Sequence, residues 1–310
     1  MRKWVKITIP VVLLAAAVIV CAVRWQAWFG MPDEPVWTGD TIEYVFPSPT
    51  TNDQLPTTFL VLGDIHSNLT RDDYDLLAQR VPDADAVLQI GDWMDRGQFY
   101  YRQLLLREWT NSQLFGLPVI ACPGNHEYTK GFRKTLSQAW AETFYSPSAT
   151  GIQGVNYYID YPQLRIIVLD TNPLKHIVDC TRLLTWLRQA MYSAGDRYIV
   201  VLMHHPVFSV AKRRFNPGVY ATFRHALSQA DLVLCGHDHN YMRRTPFVML
   251  NTAGKNKPQR ESLKAELATT EPVYGVLKIS NLNSQISILN LSVYRLSDGT
   301  LIDSIDVKHD

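Results

Sequence analysis

Leu232-Val233-Leu234-Cys235-Gly236-His237-Asp238-His239 is an apolar run that turns abruptly polar. Its first four residues read as a buried strand, and Gly236 marks where that strand passes into a loop. Residues two apart on an extended chain project to the same side, so His237 and His239 are expected to point the same way. As neutral imidazoles they suit a borderline divalent metal. Four earlier stretches repeat the pattern of apolar run followed by polar loop. They end in Gly63-Asp64-Ile65-His66, in Gly91-Asp92-Trp93-Met94-Asp95-Arg96-Gly97, in Gly124-Asn125-His126-Glu127 and in His204-His205-Pro206.

Six of the nine histidines (His66, His126, His204, His205, His237, His239) fall in these five loops. Core packing gives no reason for such a distribution, and a metal site does. Asp64 and His66 are two apart and reach one metal. Asp92 can present one oxygen to each of two metals, and Asn125 offers a carbonyl. Asp95 has a rival role as a helix cap. Asp95 and Arg96 follow Asp92 too closely to be random loop charges. His176, His225 and His309 are read as structural, and the run Lys212-Arg213-Arg214 as a solvated loop.

Strand patterns fall at 59–62, 86–90, 118–121, 157–161, 165–169, 198–203, 232–234, 247–250, 273–279, 285–293 and 301–307. Helical patterns fall at 72–80, 98–115, 130–144, 181–192 and 219–228. This alternation predicts an α/β architecture, with antiparallel strands joining late because no helix separates the last ones. Two packed sheets with helices outside are preferred over a single doubly wound sheet. In either layout ligands gather at strand carboxyl ends, where the polar clusters lie.

The 310 residues are 46% hydrophobic and 19% charged with a net charge of +1, which offers no bulk attraction to nucleic acid. The four cysteines lack zinc-thiolate spacing and do not make a disulfide scaffold. Cys122 and Cys235 read as small buried hydrophobes. Arg2, Lys3 and Lys6 precede an uncharged run closed by Arg24, and Trp4, Trp25 and Trp28 flank it. Residues 1–6 are therefore expected to be cytoplasmic and residues 7–24 a transmembrane helix, an uncleaved anchor in preference to a cleaved signal that would leave a secreted form. Proline-rich residues 25–57 read as a linker or wrapping segment, and 58–310 as the globular domain bearing the five loops, carried outside the cytoplasm.

The order Asp-x-His, Gly-Asp-x-x-Asp-Arg, Gly-Asn-His-Glu, His, Gly-His-x-His resembles the calcineurin-like metallophosphoesterases. The resemblance implies a four-layer α/β/β/α sandwich and a phosphoesterase acting on small phosphorylated substrates, monoesters or diesters. It implies two divalent metal ions (Mn, Fe, Zn or similar) that activate a water or hydroxide. One metal would take Asp64, His66, Asp92 and His239, and the other Asp92, Asn125, His204 and His237. His126 would be the general acid, oriented by Asp95, and Arg96 would either fork onto phosphate oxygens or form a surface salt bridge. Trp93, Met94 and Asp95 stand where purple acid phosphatases carry a tyrosine ligand, so no tyrosinate-bound ferric ion is expected. The middle motifs look like the protein Ser/Thr phosphatases, but Gly236-His237-Asp238-His239 and His204-His205-Pro206 look like the broader bacterial phosphoesterases, so a bacterial-type member is expected. The competing reading is a catalytically degenerate metal- or phosphate-binding protein anchored to a membrane.

Overall fold

Continuous apolar runs form strands because both faces of each sheet are covered. The computed structural model describes residues 57–97, 99–128, 136–141, 143–144, 156–172, 177–260, 265–282, 286–307 and 309. The expected membrane helix at 7–24, and the segments around it up to residue 56, lie outside the described residues. Among the described residues no helix is long and apolar enough to cross a membrane.

One sheet runs β13(Leu301–Val307), β12(Ile286–Arg295), β11(Val273–Leu282), β1(Thr58–Leu62), β2(Ala86–Gln89), β3(Val119–Ala121). The other runs β10(Leu267–Thr269), β8(Tyr241–Arg244), β9(Phe247–Met249), β7(Leu232–Cys235), β6(Tyr198–Met203), β5(Leu164–Leu169), β4(Tyr157–Asp160). Both are mixed. β1, β2 and β3 are parallel and β11 to β13 antiparallel. β5, β6, β7 and β9 are parallel, whereas β4 and β8 pair antiparallel with their neighbours. The helices are α1(Arg71–Arg80), α2(Phe99–Thr110), α3(Gln138–Ala141), α4(Ile177–Tyr192) and α5(Pro217–Leu227).

Alternation along each strand divides the apolar residues into three cores. Val61, Leu88 and Ile120 face Ile166, Val200 and Leu234 between the sheets. Their neighbours Leu60, Leu62 and Val87 turn outward onto Tyr74 and Leu77 of α1 and Leu105 and Trp109 of α2. On the far side Ile167, Val201 and Val233 pack on Leu183 and Leu187 of α4 and on Phe223 and Leu227 of α5. The result is two mixed sheets face to face with helices outside each. Parallel neighbours in register put the carboxyl ends of β1, β2 and β3, and of β6 and β7, along one edge.

Three expectations need correction. β8 and β10 are absent from the sequence reading because Tyr-Met-Arg-Arg and Leu-Ala-Thr are too short and too polar to show a strand period. The helix expected at 98–115 ends at Thr110. There Thr110 Oγ1 and Asn111 Nδ2 donate to the carbonyls of Leu106 and Arg107, and Gly116 turns the chain with φ +100°. Within 130–144 the described residues are helical only over Gln138–Ala141, and Leu136 bridges Tyr128 instead.

Arg165 of β5 is only 3% exposed. Its Nε and Nη2 clasp the Asp160 carboxylate at 2.6 and 2.7 Å, and Nη1 donates to Ser193 Oγ at 2.7 Å and to the Ala190 carbonyl. The guanidinium also lies 4.0 Å over the Tyr158 ring. Removing one partner strands the rest, so Arg165→Ala is expected to destabilise the fold by about 3 kcal/mol, the lower end for a buried pair because Asp160 is partly open to water. Arg165→Lys should recover only part of this, since an ammonium cannot fork. Urea unfolding midpoints of the three proteins decide it.

Candidate metal centre

The loops after β1, β2 and β7 are strained. Asp64, His66, Ser67, Asp92, His237 and His239 all adopt left-handed backbone, with φ between +50° and +75°. Each such non-glycine residue stores about 1 kcal/mol or more. The strain is held by hydrogen bonds between loops. Asp64 N, His66 N and Ser67 N donate to the carbonyls of Gly91, Asp92 and Trp93 at 3.1, 2.9 and 2.8 Å. His237 N donates to Asp64 Oδ1 at 3.1 Å.

His237 and His239 therefore do not sit on extended backbone, and the same-side argument made for them does not hold. Their rings diverge. His237 Nδ1 lies 3.3 Å from His204 Nε2, whereas His239 Nε2 lies 3.0 Å from His66 Nε2. Three groups of donor atoms result, each gathered within 4.8 Å: Asp64, His66, Asp92 and His239; Asp92, His204 and His237; and, nearer the mouth, His66, Asp95 and His126. Asp92 is common to the first two. Its Oδ2 stands 3.6 Å from His66 Nε2 and 3.3 Å from His204 Nε2. Asn125 Oδ1 approaches His204 Nε2 at 3.3 Å, which brings the amide to the second group.

The electrostatics suit cations. Asp64 is fully buried and its Oδ2 has no hydrogen-bond partner. Burial, with Asp92 adding and His204 opposing, pushes its carboxyl up to about 7. Burial would also raise Asp92, but the imidazoles of His204, His126 and His66 outweigh it and hold that carboxyl far below the usual range. For His204 burial is outweighed by Asp92, Asp64 and Glu127, which lift it to about 9. Burial lowers His239 to about 3. It depresses His237 further, helped by the neighbouring His205 and His204. Imidazoles, buried carboxylates and an amide carbonyl are a donor set for borderline divalent metals. An orphaned carboxylate oxygen inside it is an unmet demand for a cation. The two groups sharing Asp92 fit a dinuclear centre.

His126 stands at the mouth, its ring 4.5 Å from that of His66. Its Nδ1 meets the Asp95 main-chain carbonyl, and its Nε2 faces Asp92 Oδ2 at 4.0 Å. Asp95 thus orients His126 chiefly through its carbonyl, while its carboxylate lies 3.7 Å from both His66 Nδ1 and His126 Nδ1. Burial lowers the His126 pKa against the pull of Asp92. Arg96 is largely exposed, with Nε 3.8 Å from Asp95 Oδ2.

Sequence reasoning missed three supporting residues. Glu127 is fully buried and accepts from Asp92 N, Gly124 N and Met94 N at 2.9, 2.6 and 3.0 Å. A carboxylate placed directly after the candidate acid His126 was its only signal. Gly124 leaves no room for a side chain, since a Cβ there would stand 2.1 Å from Asp92 Oδ1. Asp238 is buried and its Oδ2 accepts from Ser209 Oγ, Val210 N and Ala211 N at 2.6, 2.7 and 2.9 Å. Glu127→Ala would leave three buried amides unmet around the Asp92 loop. It is expected to weaken metal binding by about 10- to 100-fold, read by metal titration of the chelated protein.

The remaining candidates disperse. His205 bonds Thr171 Oγ1 through Nδ1 at 2.8 Å and lies outside all three donor groups. His309 pairs with Asp231 at 3.0 Å, His225 meets Arg224, and His176 lies outside the described residues. Trp93 and Tyr241 are core residues, and Arg243 is bound to Asp303 and Glu266. The basic run divides: Lys212 and Arg213 are exposed, whereas Arg214 is half-buried against His237.

The sequence profile described as calcineurin-like phosphoesterase matches residues 57–241. Glycerophosphodiester phosphodiesterase GpdQ of Enterobacter lignolyticus (strain SCF1) is 26% identical over 133 residues, 40% of this chain and 45% of that protein. The match thus spans less than half the length of this curated relative. Purple acid phosphatase PPD1 from yellow lupin (Lupinus luteus) seeds superposes with a TM-score of 0.62 at 16% identity, over 85% of this chain and 55% of that one. GAP50, the anchor in the inner membrane complex of Plasmodium, superposes with a TM-score of 0.58 at 13% identity, over 82% and 89%. At such identities the likeness is one of fold.

Proposed function

The chain belongs to the calcineurin-like phosphoesterase family, and from that premise we propose that it hydrolyses phosphoesters of small organic molecules at a dinuclear metal centre. The observation that carries the reading is Asp92, whose single carboxylate serves two of the donor groups. In this reading Asp64, His66, Asp92 and His239 would hold one ion, and Asp92, Asn125, His204 and His237 the other. A dinuclear centre there would supply an acidified water and a positive charge for the phosphoryl oxygens.

The chain's own residues do the rest. His126, with Nδ1 fixed on the Asp95 carbonyl, presents Nε2 toward the centre and gives its proton to the leaving oxygen. The lowered pKa of this ring makes it a stronger acid when protonated. Arg96 balances Asp95 at the rim and stands ready for a phosphate oxygen. Trp93 and Met94 are buried in the core, which leaves no tyrosine where a purple acid phosphatase would carry one. A diester is the favoured substrate, because the relative at 26% identity is named for one. Residues 7–24, uncharged up to the closing Arg24 and flanked by basic residues and tryptophans, would hold the domain on the outer side of a membrane.

The test is hydrolysis of a bis-aryl phosphodiester and an aryl phosphomonoester by chelated protein reloaded with Mn, Zn or Fe. Turnover with at least one metal, and preference for the diester, is expected. No turnover in protein shown to hold two metals per chain overturns the reading.

A further inference from the structure

Charge is spread unevenly along this chain. Residues 206–260 carry nine lysines and arginines against two acids, whereas the rest of the chain carries 21 against 27. The fold gathers most of these cations into one lobe. Loops 211–216 and 254–260 are laced together by an antiparallel bridge between Ala211 and Gln259. Lys212 N donates to the Pro258 carbonyl and Arg260 N to the Val210 carbonyl, each at 2.9 Å. Both loops border the metal centre. The Lys255 carbonyl lies 2.7 Å from His239 Nδ1, and Asp238 holds the amides of Val210 and Ala211.

The surface so made is basic and open. Lys212, Arg213 and Lys255 are exposed, with Arg214, Lys257 and Arg260 half-buried beside them. Among the described residues no carboxylate forms an ion pair with Arg213, Arg214, Lys255, Lys257 or Arg260, whereas Arg243 and Lys278 are each paired. Neither acid of this stretch offsets the lobe. Asp238 is buried with Oδ2 taken by three donors, and Asp231, at the amino end of β7, is bound to Ile199 N and His309. Like charges fastened this close repel one another, and that cost falls when an anionic surface faces them.

An apolar face lies among the cations. Phe215 is 45% exposed, packs on Tyr220 with ring centroids 5.5 Å apart, and has the Arg260 guanidinium 5.9 Å from its ring. Behind it Tyr220 meets Phe208, and Arg224 and Arg244 lie 4.6 and 3.9 Å over these two rings. An aromatic body ringed by long basic side chains suits the level of lipid headgroups, where one end is apolar and the other wet.

The sequence supplies proximity. In the anchored reading above, residues 25–56 stand between the membrane and the domain and reach at most about 100 Å, which exceeds the width of a domain this size. Any face of the domain can therefore be turned to the bilayer, and a tether makes a weak surface contact intramolecular. Resting on that tether for proximity, and not on the phosphoesterase reading, we propose that the lobe of loops 211–216 and 254–260 docks the domain onto an anionic lipid bilayer. Lys212, Arg213, Lys255 and Lys257 meet the headgroup phosphates, Phe215 enters the interface, and the mouth of the metal centre is held at the membrane surface.

The test is a lysine footprint. Full-length protein is placed in nanodiscs of phosphatidylcholine, alone or with about a third phosphatidylglycerol, and treated with an amine-acetylating reagent. The rate at each lysine is read by mass spectrometry. Lys212 and Lys255 are expected to react about 5- to 10-fold more slowly in the anionic discs, and the difference should vanish in about 1 M salt. Lys278, which pairs with Thr58 at the opposite end of β1, should not change. Arg213→Glu/Phe215→Ser alters two exposed residues outside the donor groups, so it should melt as wild type does and lose most of the protection. Equal rates in the two discs overturn the proposal, and so does protection that persists in the double variant or extends equally to Lys278. Stronger protection by a single-stranded oligonucleotide than by the anionic lipid assigns the lobe to nucleic acid and also overturns it. Failure of the protein to stay in neutral discs removes the tether alone. The same footprint is then read with protein added to vesicles of the two compositions, where equal rates again overturn the docking surface.

Discussion

Asp92→Ala is expected to abolish phosphoester turnover, by about a thousandfold or more, and to lose bound metal with it. The effect is large because Asp92 is the side chain shared by the Asp64–His66–His239 group and the His204–His237 group. Its placement is over-determined. Its φ is +55°, its N donates to Glu127, and its Oδ1 accepts from His126 N at 2.9 Å. Only Oδ2 is left to the imidazoles of His66 and His204. Alanine removes the bridge and leaves the His126 amide without its acceptor. Asp92→Asn keeps the shape and that hydrogen bond, so it separates folding from metal binding. Metal content by atomic absorption, together with melting curves, reads both. Two metals retained per chain in a folded Asp92→Asn protein would contradict the bridging role.

The second large effect should come from His126→Ala, but with the opposite signature. Here metal content is expected to stay near two per chain, because His126 belongs to neither Asp92 group. The rate should fall by about 10²–10⁴-fold for esters with poor leaving groups. For a nitrophenolate leaving group, which needs little protonation, the loss should be much smaller. The dependence of rate on leaving-group pKa is the decisive measurement, and an unchanged slope in His126→Ala would remove the residue from the acid role. Asp95→Ala makes a useful companion. Its carbonyl, the atom that meets His126 Nδ1, survives the substitution. The variant should therefore hurt less than His126→Ala.

Much of this centre was legible in the residues alone. Histidines and carboxylates do not collect after apolar strands without a reason, and the five loops carried nearly every donor that the structure brings together. The apolar runs announced two-sided burial, and the missing helices after residue 273 announced the antiparallel strands β11 to β13. Legibility failed where polarity hid the period, as in β8 and β10. It failed again where a residue's task is done through the backbone. Glu127 and Asp238 bind main-chain amides, and Asp95 meets His126 through its carbonyl. Such bonds leave no trace in side-chain chemistry, because any residue supplies an amide or a carbonyl.

The Gly236-His237-Asp238-His239 loop shows where the boundary lies. Its residue types decided by themselves that a metal-binding chemistry was present, since imidazole donors are a property of the residue. Which way each ring points was decided only by the fold. Asp64 holds His237 N, left-handed φ values at both histidines turn the rings apart, and Asp238 ties the loop to the segment bearing Arg214. The physical reason is that donor identity is local, whereas direction is set by strained backbone that only contacts from distant strands can hold in place.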